Sequence, residues 1–322
     1  MSLSSASPRA AWRSVWLRWQ KPIKLAGTAA VLALTAYLLW RALRPYSVAE
    51  LGAAVAAIPA ARLMAAGGFA AASYFCLTFF DYLALRYVGA PLAYRRAALA
   101  SFCSLSLGHT LGLAGVSSGA VRYRFYSRWG LSGEQVAKLI VFCGVTVALG
   151  HLALAGGALL ADPSLGERAL RLDATAVRAV ALVCLALPVL YLVAAALVRG
   201  RLILFGRSVA MPAFRLALAQ VAVAIVNFAC VAACMWQALA AISDAGYPEV
   251  AGAYAAANAA TMLTHAPGGL GVVETVVQRL LPQSDLIGGL LVYRLIYFLA
   301  PLAIGSVTLL VTEIMFRRRA GA

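Results

Sequence analysis

The polar side chains able to do chemistry in this chain are few. Several of them stand beside glycine breaks in otherwise apolar sequence. Arg122 and Arg124 follow GLAGVSSGAV, and Glu274 stands one turn after PGGLG. Arg294, with Tyr293 before it, lies inside LLVYRLIYFLA, and Asp81 lies in TFFDYLALRYVG. An arginine fork takes phosphate oxygens in paired, charge-assisted hydrogen bonds. A glycine turn leading into a helix lets backbone amides approach an anion. Gly115 and Gly119, with Ser117 and Ser118 between them, are read as one such turn; Pro267, Gly268 and Gly269 are read as a second. Together these suit a phospholipid headgroup. The competing reading is topological, because loop arginines hold a loop on the cytoplasmic side; Arg128 is assigned to that role.

Each remaining candidate carries two readings. An intramembrane acid is costly and functional by default. Glu274 therefore either meets a cationic headgroup or a proton, or forms a structural ion pair with Arg294 or Arg279. Arg294 needs a wet cavity or an acidic partner, for which Glu274 and Asp81 are available. Asp81 is either functional or a group at a helix end. His109 and His265 each precede a glycine break, and histidine is the residue type that can switch charge near physiological pH; packing or capping is the alternative for both.

The elements that must position these residues are membrane helices. The chain is 63% hydrophobic and only 12% charged, against about 25% charged in soluble proteins. The net charge of +16 sits in short patches between apolar runs, which points to topology and not to nucleic-acid binding. The six cysteines, at 76, 103, 143, 184, 230 and 234, all lie in apolar runs without ligand spacing, and read as small packing residues. No metal site or cofactor is expected. A nucleophile elbow, a P-loop and a dinucleotide fingerprint are missing from the sequence, and no hydrophilic stretch is long enough for a catalytic domain.

A spanning helix needs about 20 largely apolar residues. Crossings are expected at 22–43, 63–85, 137–160, 176–198, 215–240 and 286–315, with 48–60 an interfacial lead-in or an early helical turn of the next span, and Pro188 a kink. Residues 162–173 and 199–215 read as outer and inner loops. Segment 97–119 has basic residues on both sides, and 251–282 is broken by PGGLG between acidic flanks. Both are expected to dip into the membrane and return, from opposite faces. If either crosses, the count rises to seven or eight. The fold class expected is an all-α polytopic membrane protein. Residues 1–21 form a basic cytoplasmic arm, 22–316 one transmembrane domain with halves 22–160 and 176–316, and 317–322 a cytoplasmic tail. Dips of opposite sense in the two halves fit an inverted-repeat transporter plan.

The stretch GHTLGLAGVSSGAVRYRFYSRWGLSGEQVAK, then HAPGGLGVVETVV and LLVYRLIYFLAPL, with Asp81 in FFDYLALRYVG, resembles the lysylphosphatidylglycerol synthase transmembrane family. That family is the flippase-like half of a bifunctional synthase and flippase. The resemblance covers about residues 20–315. It implies movement of an anionic or aminoacylated phospholipid between leaflets of a bacterial inner membrane. It places the role on Arg122, Arg124, Glu274, Arg294, Tyr293 and Tyr297. The aminoacyl-transferase domain of the bifunctional proteins has no counterpart here, so lysyl transfer is not expected. The partner implied is membrane phospholipid. The alternative is a non-transporting partner or regulator of a separately encoded lipid synthase or glycosyltransferase.

Overall fold

A computed structural model describes residue 37 and residues 47–109, 114–198, 200–204, 207–281 and 286–321. The basic arm and, apart from Tyr37, the crossing expected at 22–43 lie outside the described residues. The elements are α1 (Val48–Ala56), α2 (Ala60–Tyr87), α3 (Tyr94–Gly108), α4 (Ala114–Arg128), α5 (Gly133–Ala161), α6 (Pro163–Leu170) and α7 (Ala174–Leu197). Strands β1 (Arg201–Leu204) and β2 (Arg207–Ala210) follow, then α8 (Phe214–Leu239), α9 (Tyr247–Thr264), a 3₁₀ turn (Pro267–Gly269) and α10 (Val272–Leu280). The chain closes with α11 (Ile287–Arg294), a π-helical turn (Leu295–Leu299) and α12 (Ala300–Gly321).

The protein is a polytopic membrane protein. Among the described residues, five helical runs are long and apolar enough to cross a bilayer: α2, α5, α7, α8 and the continuous run Ile287–Phe316. They coincide with the five expected crossings that fall on described residues. The periphery is α7, of whose most apolar window only 17% is buried, against 50% for α8. Leu182, Val183, Leu190 and Leu197 of α7 are exposed, as suits a face turned to lipid tails. Helix α7 stays helical through Pro188, where an intramembrane proline is tolerated because neighbouring groups re-satisfy the freed backbone.

Helices α2 and α8 form the centre and pack extensively on each other. They run antiparallel. Arg62 Nη1 donates to Gln237 Oε1 at 2.9 Å near one end, and Ser73 Oγ donates to Asn227 Oδ1 at 2.8 Å further along. Arg62 also lies 5.5 Å from the Trp236 ring. Without a hydrophobic driving force between helices in lipid, close backbone approach carries the packing. At Gly150, where α5 meets α8, a Cβ would stand 2.6 Å from the Ala224 carbonyl oxygen and 2.7 Å from Phe228 Cδ2. Gly150→Ala is therefore expected to destabilise by about 1–3 kcal/mol. Gly144→Ala, on the same helix with nothing within 4 Å, is the matched control. Thermal unfolding in detergent should separate the two.

Between the long helices lie two pairs of short ones. Helices α3 and α4 have 15 residues each, so each rises about 22 Å, short of the ~30 Å hydrocarbon core. They pack on each other, α3 also against α2 and α12, and α4 against α5. Helices α9 and α10 form the second hairpin, and α9 also packs on α5 and α8. Its break is made by left-handed backbone: His265 (φ 54°), Gly268 (φ 57°), Gly269 (φ 63°) and Gly271 (φ 77°). Three glycines take a conformation that a Cβ penalises.

Local chemistry departs from the expectations in four places. Within 48–60, Val48–Ala56 is a helix of its own and not a turn of the next span, because Ser47 and Glu50 close a reciprocal capping box at 3.1 and 2.6 Å and α2 starts anew at Ala60. The expected outer loop contains α6, started by Pro163 and capped by Asp162. The expected inner loop contains an antiparallel ribbon, with Arg201 opposite Ala210 and Leu204 opposite Arg207. Tyr87 ties the end of β2 to the bundle by donating to Ala210 O at 2.7 Å. The last crossing is interrupted by the π turn directly after Arg294, an irregularity frequent at functional sites.

Candidate functional site

The first polar cluster fastens α4 to α2. Asp81 is fully buried, and Arg122 is 3% exposed. Arg122 Nε donates to Asp81 Oδ1 and Oδ2 at 3.1 and 3.0 Å, and Nη2 donates to Oδ1 at 2.7 Å. Nη1 donates to Ser118 Oγ at 3.1 Å. Tyr126 OH donates to Asp81 Oδ2 at 2.7 Å, and Cys143 Sγ lies 3.7 Å from Oδ1. The spacing 118–122–126 puts Ser118, Arg122 and Tyr126 on one helical face, which meets Asp81. Asp81 is therefore the centre of an ion pair and not a helix-end group. The Arg122 fork, expected to read a phosphate, is filled by this carboxylate.

Gly115 and Gly119 lie inside α4 and form no turn. Helix α3 ends upstream, at Gly108 with His109 as its cap. A Cβ on Gly119 would come 3.1 Å from Ile140 Cδ1, so this glycine serves the approach of α4 to α5.

The second cluster fastens α10 to α11. Arg294, 5% exposed, donates from Nε to Glu274 Oε1 at 2.5 Å and from Nη2 to Oε2 at 2.9 Å. Its Nη1 and Nη2 also donate to the carbonyls of Gly268 and Gly269, at 2.8 and 3.0 Å. Glu274 accepts in addition from the Gly271 amide at 2.9 Å, at the start of its own helix. Of the alternatives open in the sequence, Arg294 takes Glu274 rather than Asp81. The turn at Pro267, Gly268 and Gly269 forms where expected, and Arg294 binds the carbonyls it frees.

An aromatic column runs from α11 through the π turn to the end of α3. Tyr293, 1% exposed, stacks on Tyr297 at 5.7 Å, and Tyr297 stacks on His109 at 6.4 Å. Tyr74 lies edge-on to His109 at 6.2 Å and donates its OH to Tyr297 O at 3.3 Å, in the π turn. Tyr297 OH and Ser73 Oγ are 2.9 Å apart, and Ser73 donates on to Asn227. The Nδ1 of His109 is buried and has no partner among the described residues. His265 lies elsewhere: it is exposed, takes the left-handed position that ends α9, and its Nδ1 is 3.2 Å from Leu263 O.

A third cluster went unread in the sequence. Glu313 of α12, 4% exposed, is held by both Arg124 and Arg128 of α4. Arg128, assigned above to topology alone, bonds both its oxygens at 2.9 and 2.8 Å. The signal was available: an acid near the end of a span, just before RRR, runs against the charge expected there and calls for a cation. No group of three or more metal-ligating side chains occurs among the described residues.

No protein-family model matches the chain. Two bacterial proteins are similar over most of its length. The uncharacterized protein slr0712 of Synechocystis sp. strain PCC 6803 is 30% identical over 315 residues, 95% of this chain and 96% of the relative. The inner membrane protein YbhN of Escherichia coli K12 is 30% identical over 257 residues, 78% of this chain and 80% of the relative.

Proposed function

The chain belongs to the family of bacterial multi-pass inner-membrane proteins that includes slr0712 and YbhN, and on that premise we propose that it moves a phospholipid between the leaflets of the inner membrane. The observation that carries this reading is the pair of broken hairpins. Each is fastened to a long helical run by an ion pair, buried in the first and part-buried in the second, and an aromatic, hydrogen-bonded column runs from Tyr293, beside the second pair, to His109 at the end of α3. Irregular backbone at membrane depth persists where it is buried in protein or lines a wet path.

In this reading α3–α4 and α9–α10 are re-entrant from opposite faces, and both termini are cytoplasmic. The Asp81–Arg122 and Glu274–Arg294 pairs act as latches. Opening one frees an arginine or a carboxylate for a headgroup, while the acyl tails stay in lipid. The headgroup then passes along the polar side chains about Tyr293, Tyr297, His109 and Ser73. The resemblance to the lysylphosphatidylglycerol synthase transmembrane family supports an anionic or aminoacylated lipid. The chain acts as a translocase without resident cofactor, so a lipid or ion gradient or a partner supplies the energy.

The test is reconstitution of the purified protein in liposomes with fluorescently labelled phosphatidylglycerol, phosphatidylethanolamine or lysylphosphatidylglycerol in one leaflet. Headgroups should reach the other leaflet faster than in protein-free liposomes. Equal rates for every lipid would overturn the proposal.

One finding favours a second reading, a non-transporting partner of a lipid-modifying enzyme: the forks of Arg122 and Arg294 are filled by the chain's own acceptors. In cells, a partner role would survive replacements at Arg122, Glu274 and Arg294 that leave the protein folded. Translocation would not.

A further inference from the structure

The third cluster has the geometry of an anion site. Arg124 and Arg128 are one helical turn apart on α4, and each presents its guanidinium to the same carboxylate. Arg124 Nη2 is 2.8 Å from Glu313 Oε1, and Arg124 Nε is 3.2 Å from Oε2. Arg128 Nη2 is 2.8 Å from Oε1, and Nη1 is 2.9 Å from Oε2. Two forks on two oxygens is the arrangement in which arginine pairs take phosphate.

The arginine side chains are 23% and 28% exposed, whereas that of Glu313 is 5% exposed. An incoming anion would thus meet the arginines before the carboxylate. The floor is aromatic. The Arg128 guanidinium lies 5.2 Å from the Phe316 ring, and that of Arg96, itself exposed, lies 5.7 Å from Trp129. A floor of this kind suits the apolar-to-polar boundary of a lipid.

We propose that Arg124 and Arg128 form a phosphate-binding site and that Glu313 occupies it as an internal substitute for the ligand. The carboxylate is carried by α12 and the arginines by α4, so a phosphate that displaces Glu313 also breaks the ion pairs that tie α4 to the last helix, while α3 stays packed against α12. Binding at this end of the bundle is thereby coupled to loosening of α4. The choice of a lipid phosphate over a free one rests on the translocation reading; the site itself does not.

The experiment titrates the full-length protein in detergent with dioleoylphosphatidylglycerol, read by native mass spectrometry, and repeats the titration with glycerol 3-phosphate and inorganic phosphate as competitors. Glu313→Gln should bind the lipid about tenfold more tightly than the unaltered chain, because one competing charge-assisted pair is gone. Glu313→Asp keeps the charge on a shorter arm and should give a smaller gain, which guards against misfolding of Glu313→Gln. Adding Arg124→Ala and Arg128→Ala should abolish the gain. Displacement by inorganic phosphate upholds the site with free phosphate as its ligand; resistance to it upholds the site with the lipid headgroup. Unchanged affinity in both Glu313 variants, or a gain that survives loss of the arginines, overturns the proposal. Tighter binding in Glu313→Gln with no lipid movement in liposomes would sink translocation and leave the site standing.

Discussion

Asp81→Ala should be the most damaging single substitution in the molecule, lowering stability by about 3–5 kcal/mol, the usual effect of leaving a buried charge without its partner. The substitution strands Arg122, 3% exposed, and removes the acceptor of Tyr126 OH. Neither group has water to turn to. The effect is one of stranding and does not measure the net contribution of the pair. Replacing the whole cluster by apolar side chains of similar bulk, Asp81→Leu with Arg122→Met and Tyr126→Phe, should therefore recover most of the loss, since buried ion pairs are often no more stable than well-packed apolar substitutes. Thermal unfolding of both variants in the same detergent checks this. A single variant as stable as the unaltered protein would show that the pair is not sealed from solvent.

Arg294→Ala should come second, because one side chain serves two tasks. It neutralises Glu274 and binds the carbonyls of Gly268 and Gly269. Loss of the charge partner and of hydrogen bonds made by a charged group, each worth about 1.5–3 kcal/mol, should open the second break. Glu274→Gln removes the first task only and should cost less. In a double-mutant cycle the two changes should fall short of additivity by about 0.5–3 kcal/mol, as for residues that share one network. Limited proteolysis at 265–271 should detect the opening in Arg294→Ala and not in Glu274→Gln. Additive losses would mean that the two side chains act independently.

The long helices were legible because hydropathy is local: about 20 apolar residues in a row suffice to mark a span. The second break was legible for the same reason, since Pro267, Gly268 and Gly269 carry backbone requirements in their own identities. The first was misplaced. Gly115 and Gly119 look like a turn, yet both lie in a helix, where Gly119 meets α5, and propensity is a weak prior against packing. Pairings across the bundle were harder. Asp81 and Arg122 lie 41 residues apart, and nothing in either neighbourhood names the other. Arg294 was easier, because few acids were at hand. Glu313 was passed over beside its basic tail, and with it the role of Arg128. The ribbon at 201–210 was hidden by its charges: RLIL and RSVA flank Phe-Gly in the sequence, a hairpin pattern read as a cytoplasmic loop.

The two latches divide the labour unequally. The first is closed on every side by protein. In the second, the Glu274 side chain is 17% exposed, so a ligand approaching from the α9–α10 side would meet a carboxylate first. If the hairpins release in turn, the Asp81–Arg122 pair must part during each cycle, which an apolar replacement cannot imitate.

That difference sets the most direct measurement: the rate at which labelled phosphatidylglycerol changes leaflet in liposomes holding either the unaltered protein or the folded Asp81→Leu, Arg122→Met, Tyr126→Phe variant. Movement should exceed the protein-free rate for the first and fall to the protein-free rate for the second. Equal movement by both would contradict this.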